Sequence, residues 1–218
     1  MTAKRNCLIS VTSCGIMAKG KLLLVNACIN RGTSRTLRLA RRVAAAYPDY
    51  DTEELVLEDM NLRPADSDFV NRRTELAESG SFDDPILDTA KKFASADVII
   101  IATPYWEDCF NSMTKIFMEH SAVIGLTFRY DETGRPLGMC QASVLYYVTT
   151  RGGYVSDEED LGYAVYCRLC STYGIPSCKI VSAEGLDIFG NDAEKIMSEA
   201  FSNADLIVRG CFCYTQKS

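Results

Sequence analysis

Five short aliphatic runs constrain this chain more than any other feature: "KLLLVNA" (21–27), "TEELVLE" (52–58), "DVIIIAT" (97–103), "ASVLYYVTT" (142–150) and "CKIVSAE" (178–184). The first, third and fourth are apolar at nearly every position. A strand with one wet face alternates apolar and polar residues, whereas a continuously apolar strand needs cover on both faces. That is the pattern of a parallel sheet clothed by helices. With 218 residues, 47% of them hydrophobic, the chain can bury one core of this kind.

The segments between the runs carry helical spacing. "SRTLRLARRVAAAY" opens on a capping Ser and places Leu37, Ala40 and Val43–Ala44 on one face. "DPILDTAKKFASA" leads into the third run, and "NSMTKIFMEHSAVIG" leaves it with Met113, Ile116, Phe117 and Val123 facing inward. "EDLGYAVYCRLCSTYG" stops at Gly174, and "NDAEKIMSEAFSNADLIVRG" closes the chain. Strand and helix therefore alternate, which predicts an α/β three-layer sandwich. Five parallel strands in the flavodoxin-like order 2-1-3-4-5 are the natural arrangement. Residues 17–218 read as one such domain. Residues 1–16 read as an N-terminal extension, non-native or disordered, because Met17 begins a natural lead into the first strand and the preceding apolar patch is shorter than a signal core. The polar stretch 65–85 reads as an excursion between strands two and three. Its 66–84 part and Glu158-Glu159-Asp160 read as solvated faces.

A net charge of −6 argues against a nucleic-acid partner and against anionic lipid, and no apolar run approaches the roughly 18–20 residues of a membrane helix. The basic cluster Arg31 to Arg42 must be judged by its local partners. The ten cysteines include Cys167-x-x-Cys170 and Cys211-x-Cys213, with no His beside them. Buried free thiols in a reducing cytoplasm are the simpler reading than a metal centre.

In an open α/β sheet the ligand edge lies at the carboxyl ends of the strands. Three loops meet there. "NACINRGTSRT" (26–36) lacks both the P-loop and the dinucleotide fingerprint. Its Ser34, Arg35 and Thr36 at a helix start can form a monophosphate cradle, or an ordinary capped helix. "TPYWED" (103–108) ends a buried strand in Pro104, Tyr105, Trp106 and Glu107, either a platform for a flat ring or a hydrophobic plug or dimer contact. "TTRGGY" (149–154) offers Thr150, Arg151, Gly152 and Gly153, either a close backbone approach to a ligand or a tight turn. Taken together, a phosphate cradle, an aromatic wall and bare amides suit a ligand with a phosphate at one end and a flat polar heterocycle at the other. FMN is such a ligand.

The same residues resemble the FMN-dependent NADH-azoreductase and NAD(P)H-quinone reductase family. The likeness runs from Lys21 to about Gly185: "GLTFRYDETG" (125–134), "TTRGGY", "TPYWEDCFNSMTK", "GTSRT" and "SAEGL" each look like a segment of that family. It implies FMN phosphate held by Ser34, Arg35 and Thr36, and the flavin ring against Pro104, Tyr105, Trp106 and Glu107. Thr150, Arg151, Gly152 and Gly153 would hold its pyrimidine edge. It also implies NADH or NADPH as co-substrate, a ping-pong transfer of two electrons to a quinone, azo compound or similar small flat acceptor, and a homodimer in which residues near Phe128 and Tyr130 cover the partner's flavin. The chain departs from the pattern at Ala27-Cys28 and at Glu107-Asp108, where a carboxylate disfavours an anionic reduced flavin. No metal and no dedicated acid or base is called for, and His120 reads as a helical packing or surface residue. The competing reading is a flavodoxin-like electron carrier without a substrate pocket.

Overall fold

The computed structural model describes residues 19–210; the extension 1–16 and the Cys211/Cys213 pair lie outside them. Five strands form one parallel sheet: β1 (Lys21–Asn26), β2 (Asp51–Val56), β3 (Val98–Ala102), β8 (Val144–Thr150) and β9 (Cys178–Ala183). Their spatial order is β2-β1-β3-β8-β9, every pairing parallel, which is the expected 2-1-3-4-5. Two short antiparallel hairpins stand outside the sheet: β4 (Tyr105–Trp106) with β5 (Cys109–Phe110), and β6 (Phe128–Tyr130) with β7 (Pro136–Gly138).

The continuous apolar runs are explained by two cores, one on each face. Leu22, Leu24, Ile100, Tyr146 and Val148 point to one layer, against Leu37, Ala40 and Val43 of α1 (Arg35–Ala44) and Met197, Ala200 and Ala204 of α7 (Ala193–Val208). Leu23, Val25, Ile99, Ile101, Leu145 and Tyr147 point to the other, against Phe93 of α4 (Asp88–Ser95), Phe117 of α5 (Ser112–Ser121) and Tyr166 and Cys170 of α6 (Leu161–Tyr173). Each fully buried Leu or Ile contributes about 1.5–3 kcal/mol. Strand β2 is one of the two edge strands, which is why its Thr52, Glu53 and Glu54 are exposed. Lys92 pairs with Glu53, and Arg41 with Glu54.

Three local expectations change. The second run stops as a strand at Val56 and turns into a short helix, α2 (Leu57–Met60). The polar excursion is mostly ordered helix, α3 (Ser67–Ser79), capped by Asp66 and ended by Gly80 in the left-handed region (φ 68°). Asp160 is not on a solvated face, unlike Glu158 and Glu159: it is buried and caps α6, accepting from the Tyr163 amide at 2.9 Å.

Candidate functional site

The parallel sheet sends the loops after β1, β3 and β8 to one edge. In the first, Ser34 is the N-cap of α1 and accepts from the Leu37 amide at 3.1 Å. The amides of Arg35 and Thr36, in the first turn, have no protein acceptor among the described residues. The Thr36 hydroxyl meets the Thr150 hydroxyl at 2.5 Å, tying this loop to the end of β8. Arg35 is already engaged: it donates to the Leu186 carbonyl at 3.1 Å and to Asp187 at 2.7 Å. The whole basic cluster is neutralised in this way. Arg31 pairs with Asp59, Arg38 with Glu194 and Arg42 with Asp205, alongside Arg41 with Glu54. It is a set of surface ion pairs, not a basic patch. Behind the loop, burial pushes the Cys28 thiol up to about 11, so it stays protonated.

The second loop is a two-residue hairpin. Tyr105 pairs with Phe110 and Trp106 with Cys109, leaving Glu107 and Asp108 as the turn. Both have positive φ, 49° and 60°, as a type I′ turn requires. Asp suits this conformation; Glu does not, and costs roughly 1–2 kcal/mol there. The hairpin lifts Trp106 to 47% exposure, a large aromatic face open to a ligand. The Tyr105 hydroxyl donates to Asp108 at 3.3 Å, and burial followed by the Asp108 charge raises its pKa. Underneath, buried Asn111 caps α5 and donates to the Ala27 carbonyl at 2.7 Å, joining the second loop to the first.

The third loop is held by a buried arginine. Arg151 is 1% exposed. Its Nη2 donates to Asp160 at 2.7 Å, its Nη1 to Asp157 at 2.9 Å and to the Val155 carbonyl at 2.7 Å, and its Nε to Asp160 at 3.3 Å. The guanidinium also lies over the Tyr105 ring, 5.6 Å from its centroid. Arg151 is therefore turned into the protein, where it braces the second and third loops. The carbonyls of Arg151, Gly152 and Gly153 accept from the amides of Leu186, Asp187 and Gly185. The amides of Gly152 and Gly153 have no protein acceptor among the described residues. A side chain at Gly152 would meet Asp187 at 2.7 Å, whereas one at Gly153 would meet nothing within 4 Å. Near the end of β8 the Thr149 side chain is buried.

A family model described as the flavodoxin-like fold matches residues 20–207. The chain belongs to the flavodoxin-like fold family. Among curated relatives of this flavodoxin-like chain, an FMN-dependent NADH:quinone oxidoreductase of Coprothermobacter proteolyticus is 26% identical over 187 residues, 83% of this chain and 93% of that protein. Another of the same description, from Clostridium perfringens, is 27% identical and covers 84% of this chain and 96% of its own. Among solved structures, an azoreductase from Bacillus anthracis superposes with a TM-score of 0.74 at 21% identity, over 88% of this chain and 99% of its own. An FMN-dependent NADH-azoreductase from Bacillus anthracis, in complex with FMN, superposes with a TM-score of 0.70 at 18% identity, over 88% of this chain and 98% of its own. These two superpositions carry the fold.

Ser34, Thr36, Tyr105, Thr150, Arg151 and the diglycine thus converge on the carboxyl edge of a flavodoxin-like sheet, and Pro104, Trp106 and Glu107 lie in the hairpin segment beside them. Phe128 does not: it stacks on Tyr173 (ring centroids 5.7 Å apart) at the far end of α6, while Tyr130 is exposed. His120 also lies apart. It is buried against Phe69 and bonded to the Arg63 carbonyl at 2.8 Å, beside a cavity of about 540 Å³ that includes none of the site residues. Sequence reading missed Asn111, Asp157, Asp160 and Asp187. The capping positions of Asn111 and Asp160, each just before a helix, carried a signal that could have found them; Asp157 and Asp187 carried none. Among the described residues no His, Cys, Asp and Glu side chains cluster as a metal site, and no helix is long and apolar enough to cross a membrane.

Proposed function

We propose that this chain is an FMN-dependent NAD(P)H oxidoreductase that passes two electrons to a quinone, an azo compound or a similar flat acceptor by a ping-pong cycle. One observation carries the reading. Unpaired amides at Gly152–Gly153 and at the α1 N-terminus stand at the same sheet edge as an exposed aromatic hairpin, a donor set that fits a flavin with a phosphate tail. The similarity to FMN-dependent NADH:quinone oxidoreductases of Coprothermobacter proteolyticus and Clostridium perfringens supports it.

FMN held here would supply the redox chemistry, two-electron transfer between a nicotinamide and the acceptor. The chain's own residues do the rest. Ser34, Thr36 and the first-turn amides of α1 hold the phosphate, aided by the helix dipole. Arg35 adds positive charge, balanced by Asp187. Pro104, Tyr105 and Trp106 form the wall of the ring pocket, and Glu107 sets the field at its rim. The Gly152 and Gly153 amides, without a protein acceptor among the described residues, would donate to the pyrimidine edge of the ring. Thr150 aligns the first and third loops, and Arg151 fixes the diglycine loop from below. We assign the work to a homodimer in the cytoplasm, in which the β6–β7 hairpin with Phe128 and Tyr130 reaches the partner's site.

The test is steady-state NADH oxidation by FMN-loaded protein with menadione as acceptor. Parallel double-reciprocal lines as both substrates vary support the cycle. An FMN-loaded protein that NADH reduces but that turns over no quinone is an electron carrier, and the enzyme reading fails.

A further inference from the structure

At the opposite edge of the sheet from these loops, three thiols meet. Cys167 and Cys170 stand one helical turn apart on α6, on the same face. Cys178 is the first residue of β9, beside them. All three line one open cavity of about 560 Å³, floored by Gly174 and Pro176. Both helix sulfurs lie within interaction range of the Cys178 thiol. The three differ in access: Cys167 is exposed, Cys178 half-buried and Cys170 buried. The contact with Cys170 first, and burial second, raise the Cys178 thiol above its ordinary range and keep it protonated at rest. Nothing in the flavin site uses these groups.

We propose that this cluster is a thiol–disulfide modification site for low-molecular-weight disulfides, with Cys167 as the point of entry and Cys178 as the residue that closes an intramolecular disulfide onto α6. Exposure selects Cys167 for the first attack. Its thiolate displaces one thiolate from R–S–S–R and becomes the mixed disulfide Cys167–S–S–R. Cys178 then loses its proton and attacks the Cys167 sulfur, releasing the second R–S⁻. Two protein thiols give up two electrons and two protons, and one R–S–S–R becomes two R–SH. In a reducing compartment such a bond is transient, which suits a sensor better than a structural cross-link. The bond ties the middle of α6 to the start of β9, itself an edge strand of the sheet.

The test uses the full chain with Cys7, Cys14, Cys211 and Cys213 changed to Ser, which leaves the six thiols of the described residues. The protein is incubated with oxidised glutathione and followed by intact mass, thiol titration and peptide mapping. The parent chain should lose two thiols, retain no glutathione and yield a peptide linking Cys178 to α6. Cys178→Ser should stop at one glutathione held on Cys167, and Cys167→Ser should slow the whole reaction at least tenfold. Cys178→Ala serves in parallel, with circular dichroism as the check that each variant is folded. A parent chain that stays unmodified, one that retains glutathione on Cys167 without losing a second thiol, or a Cys178 variant that still closes the bond would each overturn the proposal.

Discussion

The buried Arg151–Asp160 pair is the most consequential single contact in the fold of the site, and Asp160→Asn isolates it. Asn is as good an N-cap as Asp, so the substitution keeps the cap on α6 and removes only the charge. Taking one partner from a buried ion pair costs about 3–5 kcal/mol. Here Asp157 still faces Arg151 at 2.9 Å and shares part of the charge, so the lower end applies, about 3 kcal/mol. For a domain of this size each kcal/mol lowers Tm by roughly 2–4 °C, giving a fall of roughly 6–12 °C. Asp160→Ala should lose about 1 kcal/mol more, because the cap goes too. The exposed pair Arg38–Glu194 is the control: Glu194→Gln should cost less than about 1 kcal/mol. Urea unfolding of the three variants and the parent measures all of this. A loss of under about 1 kcal/mol in Asp160→Asn, no larger than the surface control, would refute the bracing role given to Arg151.

Four further outcomes follow from the same geometry. Glu107→Asn relieves the left-handed turn and should raise stability by about 0.5–1 kcal/mol in thermal unfolding, and it should shift the potential of bound FMN upward in an anaerobic dye-equilibration titration, since a carboxylate leaves the flavin rim. Asp187→Asn frees Arg35 for the phosphate and should tighten FMN several-fold by fluorescence titration, while Arg35→Ala should weaken it; unchanged affinity in both would remove Arg35 from the site. Gly138→Ala places a methyl 2.0 Å from the Gly174 backbone amide nitrogen and should cost about 3 kcal/mol or more, read as a lower urea midpoint. Burial raises Cys28 to about 11 and Tyr173 to about 12, so between the unfolded-state values near 9 and 10 and these folded values the native state holds protons that the unfolded chain releases. Stability is therefore full below about pH 9 and should fall as pH rises toward 12, measured by urea midpoints across that range.

The two apolar layers and the three edge loops were legible because each rests on local pattern: continuous apolar runs, capped amphipathic helices and glycine pairs; the sheet order followed from the usual arrangement of five parallel strands. Strand β2 was legible from its apolar end, Leu55–Val56, although as an edge strand it leaves Asp51 to Glu54 exposed. What sequence could not give was side-chain partnering across long separations. Arg35 reads as a free cation beside a helix start until Asp187, 152 residues away, is seen to meet it. Arg151 reads as a flavin contact until Asp157 and Asp160 draw its guanidinium inward. Asp160 reads as one of three solvated acids, although its neighbours Glu158 and Glu159 are exposed and it is buried. The Tyr105–Phe110 hairpin went unseen because its strands are two residues long and its turn uses a Glu, a residue that rarely marks a type I′ turn.

The central claim is that the three edge loops together bind FMN and let it cycle. The direct measurement is the visible spectrum of the purified protein after incubation with FMN and gel filtration, followed by anaerobic addition of NADH and then menadione. Retention of one FMN per chain, bleaching by NADH and recovery of the oxidised spectrum with the quinone are predicted. A protein that leaves the column colourless after incubation, or that keeps FMN but does not bleach with either NADH or NADPH, would contradict the account.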